Sequence, residues 1–232
     1  MKKLHALVLG ATGATGQELV KLLLKNSDFS KISIFVRRAI NFKHEKLIVH
    51  KVDFSRLNNY KNLINGDVFF SCLGTTRKEA GSKKEQYKVD YTYQYEFAKM
   101  ASDNGVSQYS LVSSIGANNK SYFFYPRIKG DLEESVKNLN FNKIHVFQPP
   151  SLVRQPDLIR GGEKISLKIL SILNKIGLLR AFRPLSVEYL AFKMIRVLKE
   201  ESPNKIKIYK VEDLHFWDKF IYLIIYIIIV IL

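Results

Sequence analysis

Tyr125 and Lys129 stand four residues apart in Tyr125-Pro126-Arg127-Ile128-Lys129, which puts a phenol and an ammonium on one face if the stretch is helical. An ammonium beside a phenol favours the phenolate and draws the tyrosine pKa down from ~10 toward working pH, which a proton donor to a carbonyl needs. By itself this spacing occurs on many ordinary amphipathic helices, and its weight depends on what precedes it. Val112-Ser113-Ser114-Ile115-Gly116 supplies hydroxyls upstream of Tyr125, where one of them can bond a substrate carbonyl and share in stabilising a developing oxyanion.

Near the amino terminus, Gly10-Ala11-Thr12-Gly13-Ala14-Thr15-Gly16 lies between an apolar run and an amphipathic one. Glycines in that place let the backbone turn sharply and approach a pyrophosphate, whose charge is met by amide N–H groups at a helix N-terminus. The spacing is Gly-x-x-Gly-x-x-Gly, a variant of the commoner dinucleotide fingerprint. About twenty residues further on, where an NAD-preferring site carries an acidic residue for the ribose 2′-hydroxyl, stand Arg37 and Arg38. Two guanidiniums suit a 2′-phosphate, so the expected cofactor is NADP(H); the competing reading is that the pair belongs to a basic surface. Asp53 is placed either to meet the adenine amino group or to cap a helix. Ser71-Cys72-Leu73-Gly74-Thr75-Thr76 offers small residues at a strand end, where backbone contacts to the cofactor are expected. Cys72 reads as a small buried thiol rather than a nucleophile.

These residues need a scaffold of alternating strands and helices. Apolar runs at Leu4–Leu9, Lys31–Val36, Lys46–Val52, Asp67–Ser71, Gln108–Ser113 and Lys143–Phe147 predict buried strands. Amphipathic stretches at Ala14–Asn26, Ser55–Ile64, Lys83–Asn104 and Tyr125–Asn138 predict helices between them. The alternation implies an α/β fold: a doubly wound parallel sheet of the Rossmann type over residues 1–150, with Pro126 inside the first turn of its helix. Beyond Gln148-Pro149-Pro150 the pattern changes to two helices, Lys164–Ile176 and Ser186–Glu200, and a strand, Lys205–Val211. Residues 151–213 read as a substrate-facing extension of the same domain, followed by an apolar tail over 214–232.

The chain has 232 residues, enough for one sizeable domain and too few for two of ordinary size. Its formal charge of +16 is spread along the whole length, without a nucleic-acid module, so a solvated basic surface is expected rather than a nucleic-acid partner. The single cysteine excludes an internal disulfide and a cysteine metal cluster and fits a reducing compartment, with the cytoplasm as the expected location. Met1-Lys2-Lys3 and the short run after it read as the start of a first strand rather than a signal peptide.

Taken together, the glycine loop, the arginine pair, the serine-ended strand and Tyr-x-x-x-Lys resemble the short-chain dehydrogenase/reductase superfamily. The stretches Phe29-Ser30-Lys31, Val52-Asp53-Phe54, Cys72-Leu73-Gly74-Thr75-Thr76-Arg77, Gly116-Ala117 and Lys129-Gly130 resemble its atypical, Tat-interactive-protein-like branch, over roughly residues 4–163. The resemblance implies cofactor contacts at Thr12, Gly13, Ala14, Thr15, Arg37, Arg38, Leu73 and Gly74. It implies Tyr125 as proton donor or acceptor, Lys129 on the nicotinamide ribose, and Leu152 and Arg160 near the nicotinamide end. Of the two serines, Ser114 is favoured, by analogy with the second of the pair in related enzymes. Where that branch reads Phe-Arg-Pro-Gly, this chain has Phe147-Gln148-Pro149-Pro150, which removes a possible anion contact.

The expected function is thus an NADP(H)-dependent oxidoreductase acting on a small carbonyl or alcohol, as a monomer or homodimer. A regulator that binds the cofactor without turnover competes with it, and so, less well, does a sugar-nucleotide epimerase or dehydratase. Phe220–Leu232 is an apolar run too short to span a bilayer as a helix. It reads as a membrane-associating tail, a buried terminal element or an extension without a role.

Overall fold

Apolar runs long enough for one strand and too short for a helix recur through this chain, and each forms a strand; Val68–Ser71 is buried at every residue, whereas Leu47–Lys51 is partly exposed. The computed structural model describes residues 3–155, 158 and 184–214. Arg160, the expected helix Lys164–Ile176 and the apolar run Phe220–Leu232 lie outside these residues. In chain order the elements are β1 (Leu4–Leu9), α1 (Ala14–Lys25), β2 (Phe29–Val36), β3 (Leu47–Lys51), a 3₁₀ segment (Phe54–Leu63) and β4 (Val68–Ser71). Then follow α2 (Arg77–Ala80), α3 (Lys83–Tyr87), a π-helical turn (Lys88–Thr92), α4 (Tyr93–Asp103), β5 (Gln108–Val112), α5 (Phe124–Lys137) and β6 (Lys143–Phe147). The remainder comprises β7 (Leu152–Val153), β8 (Leu185–Ser186), α6 (Val187–Arg196), β9 (Ile206–Tyr209) and α7 (Val211–Leu214).

Seven strands form one sheet in the order β3-β2-β1-β4-β5-β6-β9, with every neighbouring pair parallel. This is the doubly wound sheet expected from the sequence. Chain order reverses between β1 and β4, and in such sheets the crevice at the carboxyl edge of the reversal is where ligands bind. One face of the sheet is covered by α1 and α6 through Leu19, Leu23, Leu190 and Met194. The opposite face is covered by the 3₁₀ segment, α4 and α5 through Leu57, Phe97, Leu132 and Val136. A short parallel pair, β7 with β8, stands apart from the main sheet.

Two expected helices take other forms. Ser55–Ile64 is 3₁₀ with a kink at Arg56, and its start is capped by Asp53, which accepts the Ser55 amide at 2.9 Å. Lys83–Asn104 is not continuous, because the turn at Lys88–Thr92 is π-helical and inserts one extra residue between α3 and α4. Gly105 closes α4 at φ +81°, the left-handed conformation expected of a glycine C-cap. Pro126 is the third residue of α5, within the first turn as required.

Candidate active site

The glycine loop is shaped by what a side chain would strike. Gly10 has φ +83°, and a Cβ there would lie 2.5 Å from the Cys72 carbonyl carbon and 2.6 Å from the Leu73 nitrogen. At Gly16 a Cβ would lie 2.1 Å from the Gly10 oxygen. Only glycine at both positions lets β1, α1 and the loop after β4 meet so closely. Gly13 is the N-cap of α1 and brings no side-chain bond to it, and the first turn holds no acidic residue. The N–H groups at Ala14, Thr15 and Gly16 therefore begin a helix with neither a side-chain cap nor a carboxylate competing for them. Thr12 is exposed beside them. This cradle fits the diphosphate of a dinucleotide.

A cleft of about 900 Å³ opens at the same edge of the sheet. Arg37 from the end of β2, Asp53 after β3, and Leu73, Gly74 and Thr75 after β4 all line it. Arg38 is exposed next to Arg37, and neither guanidinium has an ion-pair partner among the described residues. Asp53 both lines the cleft and caps the 3₁₀ segment. Cys72 is held with its amide on the Leu9 carbonyl, and burial pushes its thiol up to about 12, so it is not a nucleophile at neutral pH.

Tyr125 and Lys129 lie one turn apart at the start of α5, with the Lys129 Nζ 5.9 Å from the centre of the Tyr125 ring. Their exposures differ sharply: Tyr125 is 39% exposed and Lys129 only 2%. The Lys129 ammonium meets Asp90, which is fully buried, at 3.2 Å. Burial works against the ammonium, but the Tyr125 phenol, then Asp90, and last Glu133 outweigh it and hold Lys129 above the ordinary lysine value. Asp90 was not identified in the sequence as a site residue. Its signal was the row Gln86, Asp90, Gln94, polar side chains four apart and all buried, in line with the apolar stripe that continues as Phe97 and Ala101.

The two serines at the end of β5 have different environments. Ser113 is buried and donates its hydroxyl to Glu133, whose oxygens also accept from the Gln148 amide at 3.1 and 3.0 Å. Burial raises the Glu133 carboxyl, opposed by the bonds from Ser113 and Gln148. Gln148 thus faces a buried carboxylate with a neutral amide. Ser114 is half-buried, and among the described residues its only side-chain bond is a long one of 3.3 Å to the Ile115 carbonyl, which leaves its hydroxyl the more available of the two. The loop after Ser114 lies directly across α5 because residue 130 is glycine: a Cβ there would fall 2.2 Å from the Asn119 nitrogen. Asn118 also donates to the Pro126 carbonyl at 3.0 Å, so the serine loop and the first turn of α5 are joined. Leu152 is half-buried on β7, and Gln155, unremarked in the sequence, ties the next residues to α1 through the Ala14 carbonyl and Glu18.

Residues 10–139 match the family model described as NAD(P)H-binding. Protein HTATIP2 of Rattus norvegicus is 36% identical over 172 residues, covering 72% of this chain and 71% of that protein. Protein FMP52, mitochondrial, of Kluyveromyces lactis is 37% identical over 152 residues, 65% of this chain and 68% of that protein. Among solved structures, the Bordetella bronchiseptica enzyme WbmH in complex with NAD+ superposes with a TM-score of 0.69 at 14% identity, over 90% of this chain and 75% of that one. MoeE5 in complex with UDP-glucose and NAD gives 0.65 at 14%, over 88% and 74%. At such identities these two show a shared fold. No helix among the described residues is long and apolar enough to cross a membrane. With the dinucleotide cradle, the doubly wound sheet and this degree of likeness in hand, the chain belongs to the NAD(P)H-binding family, in the group that contains HTATIP2 and FMP52.

Proposed function

We propose that the protein is an NADP(H)-dependent oxidoreductase that interconverts a small carbonyl compound and its alcohol, with Tyr125 as the proton donor. The observation that carries this reading is the pairing of an accessible phenol with a buried, charged lysine one helical turn away, on the same edge of the sheet as a dinucleotide cradle. Bound NADPH supplies the hydride. Tyr125 gives its proton to the substrate oxygen, and Lys129 lowers the cost of the phenolate that remains. Ser114 orients the carbonyl and shares the developing charge. Arg37 and Arg38 hold the 2′-phosphate, Leu73 and Gly74 offer backbone to the cofactor, and Leu152 borders the nicotinamide end. The reverse oxidation uses the same groups.

The single thiol suits a reducing compartment, and the name of the Kluyveromyces relative brings the mitochondrion in beside the cytoplasm. The nucleotide-sugar ligands in neighbouring structures belong to proteins that share only the fold.

The test is NADPH consumption by the full chain against a panel of aliphatic and aromatic aldehydes and ketones. Turnover that requires both NADPH and the carbonyl is expected. Tight NADPH binding with no turnover across the panel would favour the regulatory reading instead.

A further inference from the structure

Asp90 has no part in the site as read from the sequence, yet its carboxylate is the most enclosed charge in it. Three observations converge there. The π-helical turn Lys88–Thr92 turns this residue inward, and the backbone carbonyls it frees are satisfied by Gln94, whose amide reaches the Val89 oxygen at 3.4 Å and the Asp90 oxygen at 3.0 Å. Gln94 in turn accepts the Ser71 hydroxyl at 2.8 Å, fixing the turn to the end of β4. The two carboxylate oxygens then face different parts of the site. Oδ2 accepts the Thr75 amide at 3.3 Å, from the loop that lines the cleft. Oδ1 has no hydrogen-bond partner with good geometry and faces the Lys129 ammonium. A Cβ at residue 74 would lie 3.3 Å from that oxygen and 4.0 Å from the Lys129 Nζ, so the pair sits immediately beneath Gly74.

We propose that Asp90 is the positioning residue of this site, holding the Lys129 ammonium against the Gly74–Thr75 wall of the cleft. The inference rests on the cofactor reading above and goes beyond it, because it assigns the counter-ion that makes Lys129 usable. A buried carboxylate that meets a single ammonium at an oxygen otherwise unbonded is poorly explained by stability alone. The other groups acting on Lys129 are the Tyr125 phenol and Glu133 on its own helix. Glu133 is held by Ser113 and Gln148 and the Tyr125 ring centre lies 5.9 Å from the ammonium, so Asp90 at 3.2 Å is its direct ionic partner.

The experiment measures NADPH affinity by calorimetry from pH 6.5 to pH 9 for the wild type, Asp90→Asn and Asp90→Glu, with melting temperatures alongside. Wild-type affinity is expected to be flat. An unpaired buried lysine titrates several units below its usual value, so Asp90→Asn should lose affinity as pH rises, by about tenfold or more across this range. Asp90→Glu should recover most of it. The same pH profile in Asp90→Asn and wild type, or a loss equal at every pH, overturns the proposal. If Asp90→Asn fails to fold, Lys129→Met and Asp90→Asn/Lys129→Met are compared by thermal melting. The double variant is expected to melt higher than Lys129→Met, which leaves Asp90 without its partner; a lower melting temperature overturns the pairing. A wild type that does not bind NADPH contradicts the cofactor reading, while the melting comparison still decides whether Asp90 and Lys129 act as a pair.

Discussion

Charge placement divides this site into groups that chemistry needs free and groups that must be held. Arg37 lines the cleft, Arg38 is exposed beside it, and neither has an ion pair among the described residues, so both guanidiniums are available to an anion. A charge-assisted hydrogen bond contributes about 1.5–3 kcal/mol, so Arg37→Ala or Arg38→Ala should weaken NADPH binding roughly tenfold to a hundredfold. NADH affinity should hardly change, and calorimetry with both cofactors reads the difference. Equal losses for the two cofactors would remove the arginines from the 2′-phosphate. At this scale the closeness of Tyr125 and Lys129 and the tight turns at the glycines were legible because local spacing fixes both. Asp90 and the Ser113–Glu133–Gln148 group were not, since their partners are distant in sequence and only the fold brings them together.

Secondary structure was legible where burial enforces one pattern. A parallel sheet covered on both faces demands apolar runs, and six of them mark β1 to β6 to within a few residues. The seventh, expected at Lys205–Val211, forms as Ile206–Tyr209 beside β6 at the sheet edge. Helices were read less well. A π turn shifts the apolar stripe by one residue, which a 3.6-residue period absorbs, so Lys83–Asn104 read as one helix while the structure breaks it at the residue that matters most. The Phe54–Leu63 segment is polar apart from Phe54, Leu57, Tyr60 and Leu63, and a stretch so short of apolar anchors settles into the tighter 3₁₀ form.

The whole molecule carries its histidines in a way that fixes its acid stability. Burial, with Lys31 adding to it, lowers His5 to about 4, and burial likewise lowers His145 to about 4. The folded protein keeps both imidazoles neutral, whereas the unfolded chain takes up protons near pH ~6.5. Between these values the unfolded state binds more protons, so stability is present above about pH 6.5 and is lost as pH falls toward 4. Urea midpoints measured across this window should fall on acidification, with a shallower slope in His145→Gln; an unchanged slope would show that His145 is not held neutral. Topology at this scale followed from the alternation of elements. The segment after β6 was the least legible part, because its described portions join both the main sheet and a separate two-stranded pair.

We propose above all that Tyr125 delivers the proton in an NADP(H)-linked carbonyl reduction. Steady-state turnover and NADPH affinity measured side by side for the wild type and Tyr125→Phe test it most directly. Removing a general acid costs about 10²–10⁴ in rate, so turnover should fall by that factor while NADPH binds as before. Turnover that survives in Tyr125→Phe, with binding intact, would contradict the assignment.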